Sequence, residues 1–344
     1  MVGFEGTTAP AELLARIAAG RVAGVILFAR NLGNPKEVAT LTRSLHEAKP
    51  PQDPPIIVSV DQEGGRVQRI KSPLTVWPAM ARLGVHCDET LATDVGRALG
   101  RELVALGFNV DYAPVLDVHT NPDNPVIGDR AFGSDPHDAA RYALAFWRGL
   151  EDSGLRGCGK HYPGHGDTAT DSHLTLPQVD HEEARLRAVE LEPFRLAARA
   201  KVPMLMTAHV VYPAVDAAPA TLSHRWLTEI LRDELGYEGV IVSDDLDMKA
   251  VADRFPVEET VVKSLLAGVD CFLACRDPNI QSRAEAALDA AAETDPVVAE
   301  RVVKSSARLR AFRETLAGQP SSGSEHTLPA MLEAHTQLAA RARR

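Results

Sequence analysis

The chain has 344 residues, 45% apolar and 24% charged, enough to bury a full core, and a (β/α)8 barrel commonly uses this length as one domain. Its 37 basic and 47 acidic residues give a net charge of -10 without a basic run able to neutralise a phosphate backbone, which argues against nucleic-acid binding. The four cysteines, at 87, 158, 271 and 275, lack zinc-ribbon or C-x-x-C spacing, the N-terminus lacks a charged segment leading into an apolar one, and no stretch approaches a membrane span; the sequence reads as a soluble, reduced, cytoplasmic chain.

Eight short runs rich in strand-forming residues alternate with amphipathic helical stretches, the sign of a parallel sheet with crossover helices. The runs are Met1 to Glu5, Gly24 to Ala29, Ile56 to Asp61, Phe108 to Ala113, Leu155 to Lys160, Pro203 to His209, Gly239 to Asp244 and Asp270 to Ala274. Several are apolar nearly throughout, as in Ile56-Ile57-Val58-Ser59-Val60, which suits strands covered on both faces. Between them, Pro35 to Glu47, Glu89 to Leu106, His137 to Ser153, His181 to Ala200 and Val257 to Ala267 have crossover lengths. This pattern predicts an α/β fold, a (β/α)8 TIM barrel over residues 1–276. A doubly wound open sheet is disfavoured, because no G-x-G-x-x-G follows the first strand. Residues 277–344 predict a C-terminal helical extension: helix from about Gln281 to Ala317, interrupted at Thr294-Asp295-Pro296, a connector near 318–325, and a last helix over 328–344.

Ionisable residues collect at the C-terminal ends of these strands, where barrel enzymes place their active sites. Asp61 to Arg69 ends the third run, Asp111, Asp117 and His119 surround the fourth with Arg130 beyond, His209 ends the sixth, and Ser243-Asp244-Asp245-Leu246-Asp247 ends the seventh. The densest segment follows the fifth: Lys160-His161-Tyr162-Pro163-Gly164-His165-Gly166-Asp167-Thr168-Ala169-Thr170-Asp171-Ser172-His173. Asp171 and His173 are two apart, so an extended loop projects both to one side and can hold them as a hydrogen-bonded acid/base pair. Taken alone, D-S-H would read as a surface histidine beside a helix-capping aspartate; the loop around it favours proton transfer. His165, Asp167 and His209 read as internally hydrogen-bonded groups. Of the adjacent Asp244 and Asp245, strand alternation turns one toward the site and the other away, and pattern alone does not say which.

The segment from Lys160 to His173 resembles the K-H-[FY]-P-G-H-G-D-T-x-x-D-S-H signature of glycoside hydrolase family three, specifically its single-domain bacterial β-N-acetylglucosaminidases of peptidoglycan recycling. The resemblance covers about residues 1 to 275. It implies that Asp244, directly after the serine of the S-D motif, is the nucleophile of a retaining hydrolysis and that His173, backed by Asp171, is the acid/base. It also implies that Asp61, Arg69, Arg130, Lys160 and His161 hold the hydroxyls of the terminal sugar. Charge-assisted bonds from a carboxylate and several cations suit a hydroxylated ring. The implied substrate is a muropeptide fragment ending in GlcNAc-1,6-anhydro-MurNAc, with no cofactor and no metal. A histidine acid departs from the usual pair of carboxylic acids. Against these stand other family-three β-glycosidases, substrate-assisted hydrolysis through the acetamido group, and a metal-dependent hydrolase using His161, His165, His173, His209 and Asp244, for which H-x-H and H-E-x-x-H spacings are missing. A catalytically dead sugar-binding module would be expected to lack Asp244 or His173, and both are present.

Overall fold

The computed structural model describes residues 1–172, 174–318 and 327–344. The chain divides into two compact units, Met1–Val115 with Arg141–Cys158 and Arg313–Arg344, and Leu116–Ala140 with Gly159–Phe312.

In the first unit, β1 (Gly24–Leu27), β2 (Ile57–Val60), β5 (Val110–Asp111) and the start of β6 (Arg156–Tyr162) pair in parallel, with Gly24 opposite Ile57, Ser59 opposite Val110 and Val110 opposite Arg156. Between β2 and β5, β3 (Gln62–Gly64) and β4 (Val67–Gln68) form an antiparallel hairpin that the sequence reading did not separate from the strand before it. Val25, Ile26, Leu27, Ile57, Val58 and Val60 are all buried, as strands covered on both faces require. The run at Met1 to Glu5 contributes only a parallel bridge from Val2 to Val25, and Gly6, at φ +93°, turns the chain away beyond it. Helix Pro35–Glu47 has its expected bounds because Asn34 caps it, its side chain accepting from Glu37 N while Glu37 reaches back to Asn34 N, with Pro35 in the first turn. Helix Glu89–Ala105 is capped by Asp88. The C-terminal helix Leu328–Arg343 is tied to it where His335 Nδ1 meets Glu102 Oε1 at 2.8 Å, while Glu102 Oε2 accepts from Thr75 N at 3.1 Å.

The second unit holds the end of β6, then β7 (Met204–Thr207), the short antiparallel pair β8 (Val211–Tyr212) and β9 (Asp216–Pro219), β10 (Val240–Asp245) and β11 (Cys271–Leu273). β7 neighbours β6 and pairs in parallel with β10, which pairs in parallel with β11. Seven of the eight expected runs are thus strands of one sheet, in the order β1-β2-β5-β6-β7-β10-β11. The helix expected over 181–200 is two, Glu183–Ala188 and Glu192–Arg199, because Pro193 has no N–H to continue a helix but fits the first turn of a new one. Pro296 does the same between Pro278–Thr294 and Pro296–Glu314. Helix Arg225–Glu234 was not anticipated; Trp226, Leu227, Ile230 and Leu231 are buried on one face of it. Among the described residues no helix is long and apolar enough to cross a membrane.

Candidate active site

β6 ends in Lys160, His161 and Tyr162, all buried. Its last residues meet the segment after β5 through a 2.6 Å bond from Leu116 N to Lys160 O, which brings Asp117 beside His161. Asp117 Oδ2 accepts from His161 Nδ1 at 2.7 Å, and Oδ1 accepts from the backbone N–H groups of His161 at 3.2 Å and His165 at 2.6 Å. Burial alone would raise the Asp117 carboxyl; the charge and hydrogen bond of His161, with His165 behind, bring it below the usual aspartate range, so it is an anion near neutrality. Since Asp117 takes the Nδ1 proton, His161 Nε2 can accept from Arg130 Nη2, 3.4 Å away. Arg130 is itself buried and donates through Nη1 to Val126 O at 3.1 Å.

The loop that follows is held from within. Gly166 is required by contact, since a Cβ there would lie 1.8 Å from Val118 O. His165 bonds Thr168 Oγ1 and Ser172 Oγ, each at 2.8 Å, and burial followed by the charge of His161 pushes its pKa down to about 4. Asp167 joins Thr120 Oγ1 at 2.8 Å and His181 Nε2 at 2.7 Å. Asp171 is half-buried, and its carbonyl accepts from Leu174 N and Thr175 N in a tight turn. His173 lies outside the described residues.

At the end of β10, alternation separates the side chains. Ser243 Oγ accepts from Leu273 N at 3.1 Å, Asp245 Oδ1 from Cys275 N at 3.0 Å and Asp247 Oδ2 from Arg276 N at 2.7 Å, so these residues clip the end of β10 and the turn after it to the last residue of β11 and the segment that follows it. Asp244 lies on the other face of the strand, half-buried, and its Oδ1 accepts from Asp245 N at 2.8 Å. The two side chains therefore leave the strand on opposite faces. Burial, then the charges of Asp247 and Asp244, push the Asp245 carboxyl up to about 7. His209 is wholly buried with both ring nitrogens engaged, Nδ1 on Thr221 Oγ1 at 2.9 Å and Nε2 on the Asp245 carbonyl at 3.2 Å.

Asp61 and Arg69 belong to the first unit, where Arg69 Nη2 donates to Asp61 Oδ2 at 3.3 Å and the Arg69 guanidinium lies 5.8 Å from the Phe28 ring centre. The hairpin between them turns at Gly64 and Gly65, whose φ of +97° and +59° favour glycine. Sequence reasoning noted Asp117 at a strand end but gave it no role. Its partners lie 44 and 48 residues further on, beyond any local pattern.

Alternating parallel strands and helices, with carboxylates, histidines and cations at the C-terminal strand ends, define an enzyme of the (β/α)-barrel class, the fold shared with solved structures that span nearly the whole chain. Residues 4–310 match the family model described as the glycosyl hydrolase family 3 N terminal domain. The chain belongs to this family and is a glycoside hydrolase. It is 40% identical over 310 residues to a beta-hexosaminidase of Alkalilimnicola ehrlichii, covering 88% of this chain and 87% of that one. A glycoside hydrolase family 3 beta-N-acetylglucosaminidase from Paenibacillus sp. str. FPU-7 superposes with a TM-score of 0.91 at 39% identity, covering 99% of this chain and 66% of that longer one. NagZ from Neisseria gonorrhoeae, solved in complex with N-trifluoroacetyl-D-glucosamine, has a TM-score of 0.84 at 35% identity and covers 99% and 97%.

Proposed function

We propose that the chain is a retaining exo-β-N-acetylglucosaminidase that removes terminal, non-reducing β-linked GlcNAc. Asp244 attacks the anomeric carbon as the glycosidic bond breaks, and His173, backed by Asp171, gives its proton to the departing oxygen. The same histidine then takes a proton from the water that releases the sugar from Asp244. Asp61, Arg69, Arg130, Lys160 and His161 hold the sugar hydroxyls. The substrate in this reading is GlcNAc-1,6-anhydro-MurNAc muropeptide, in cytoplasmic cell-wall recycling; the beta-hexosaminidase relatives and the NagZ complex with an N-acylated glucosamine support that choice of sugar.

One observation carries the reading. Asp245 and Asp247 accept from backbone N–H groups of Cys275 and Arg276 in the segment that follows β11, whereas Asp244 stands on the opposite face from Asp245 at the end of an apolar strand, with its Oδ1 oriented by a neighbouring N–H. A carboxylate held by a backbone donor at a parallel strand end is where a barrel hydrolase needs its nucleophile. The test is incubation with a fluorinated slow substrate of the GlcNAc series, followed by peptide mass analysis. One sugar mass should appear on the peptide carrying Ser243 to Met248. Inactivation without that label, or label elsewhere, removes Asp244 from the role. In parallel, para-nitrophenyl β-GlcNAc should be turned over in preference to the glucoside and xyloside, and the reverse order would make the chain a β-glucosidase or β-xylosidase.

A further inference from the structure

Two histidines converge on Asp117, and one of them passes the connection on. His161 donates its ring Nδ1–H to Oδ2 and His165 its backbone N–H to Oδ1, on a carboxylate with no exposed surface. Beyond His165 the bonds have a definite direction. Asn124 Nδ2 donates to Thr168 Oγ1 at 3.1 Å, and the Thr168 hydroxyl donates to His165 O at 3.1 Å. Thr168 therefore has a lone pair left for the Nδ1–H of His165, and His165 Nε2 is left to accept the hydroxyl of Ser172. Ser172 is itself buried, and its carbonyl accepts from Ala250 N at 3.3 Å, in the helix Lys249–Ala252 that follows β10. In sequence Ser172 stands between Asp171 and His173.

We propose that Asp117, His165 and Ser172 are positioning residues, a buried hydrogen-bond bracket through which the carboxylate that orients His161 also anchors the loop at Ser172, between the two members of the acid/base pair. The proposal rests on the reading of His173 as the acid and His161 as a sugar ligand, and it adds three residues to that reading. Its logic is geometric. The proposed acid lies on the loop that follows the sugar-binding strand end, and a loop of this length has many ways to misplace it. A displacement of about 1 Å in a reacting group costs about a hundredfold in rate, so a loop that delivers a proton needs an anchor with few degrees of freedom. A serine hydroxyl bonded to a neutral buried imidazole, itself hung from a buried carboxylate, is such an anchor, and it is spent on no surface interaction.

The bracket predicts an effect that a purely structural role does not. Loss of proton delivery matters most for a leaving group that needs the proton, and little for an activated phenol. Ser172→Ala in the full chain should lower kcat/KM for methyl β-GlcNAc by about ten- to a hundredfold and for para-nitrophenyl β-GlcNAc by less than about threefold. Ser172→Thr, which restores the hydroxyl, should recover most of the loss. Asp117→Asn should show the same selectivity and, because it also releases His161, a raised KM for both substrates. His173→Ala, assayed alongside, judges the acid/base reading by itself. Equal loss on both substrates in Ser172→Ala, or no loss, while His173→Ala is selective overturns the bracket and leaves the acid intact. Equal loss in both variants overturns the acid and the bracket together. Selectivity in Ser172→Ala that Ser172→Thr fails to restore assigns the effect to packing and likewise overturns the bracket.

Discussion

Replacing Asp245 by Asn should make the protein more stable at alkaline pH, an unusual outcome for a half-buried carboxylate beside the proposed nucleophile. The folded chain raises this carboxyl from 3.8 to about 7, first through burial and then through Asp247 and Asp244. A carboxyl raised on folding keeps its proton in the folded state at pH values where the unfolded chain has already lost it. No stability is lost below about pH 3.8; it falls as the pH rises toward 7 and levels off above. About three units at roughly 1.4 kcal/mol each give on the order of 4 kcal/mol, reduced by the solvent that reaches the half-buried side chain. Asn keeps the shape and an oxygen able to accept from Asp247 N and Cys275 N, but never ionises. Urea unfolding followed by circular dichroism at pH 4.5 and pH 8.5 reads the difference. Asp245→Asn should be only slightly more stable than the parent near pH 4.5 and unfold at clearly higher urea near pH 8.5. A variant less stable than the parent at pH 8.5 would show that the ionised carboxylate is stabilising, and the account of burial and repulsion at the end of β10 would be wrong.

Two further outcomes follow from the structure. His335→Ala leaves the buried Glu102 carboxylate without its ring partner and should cost about 2 kcal/mol or more of stability, with part recovered when Glu102→Gln is added; additive losses would mean that the 2.8 Å contact carries no coupling. The proposed mechanism uses only protein groups and water, so prolonged dialysis against a chelator should leave kcat/KM unchanged. A loss of activity reversed by a divalent cation would favour the metal-dependent alternative.

The parts of the fold that could be read from the sequence are those whose burial leaves a local pattern. β2 and β10 are covered on both faces, and their Ile and Val runs say so. Helix Pro35–Glu47 announces itself through Asn34, Pro35 and Glu37, which act on neighbouring N–H groups. The split at Pro193 was missed because one proline inside an amphipathic pattern both ends and restarts a helix, and the pattern on either side stays in phase. Helix Arg225–Glu234 was missed although Ser223 Oγ accepts from Trp226 N at its start and Trp226, Leu227, Ile230 and Leu231 are buried on one face of it. In the site, Asp244 and Asp245 were legible as a pair with opposite directions, since strand alternation is local. Asp117 was not, because its meaning comes from His161 and His165 arriving 44 and 48 residues later.

The two most perturbed aspartates of the second unit show how much of the chemistry is set by partners and how little by depth. Asp117 and Asp245 both lose water on folding, and burial is the first influence on each. Asp117 nonetheless ends below the usual range because an imidazole and two N–H groups face it, whereas Asp245 ends near 7 because its nearest ionisable neighbours are Asp247 and Asp244. The anionic form of Asp117 is what an orienting group needs, since a carboxylate that stays charged fixes the tautomer of His161 without exchanging protons with it. Asp245 needs the opposite. Its N–H orients Asp244 Oδ1 and its carbonyl is held by His209, so its backbone serves the proposed nucleophile while a protonated side chain places no second negative charge beside it. Adjacent aspartates at a strand end can therefore differ in kind, one standing as the proposed nucleophile and the other shaping the turn with its carboxyl raised to about 7, with the strand's alternation keeping the two carboxyls apart.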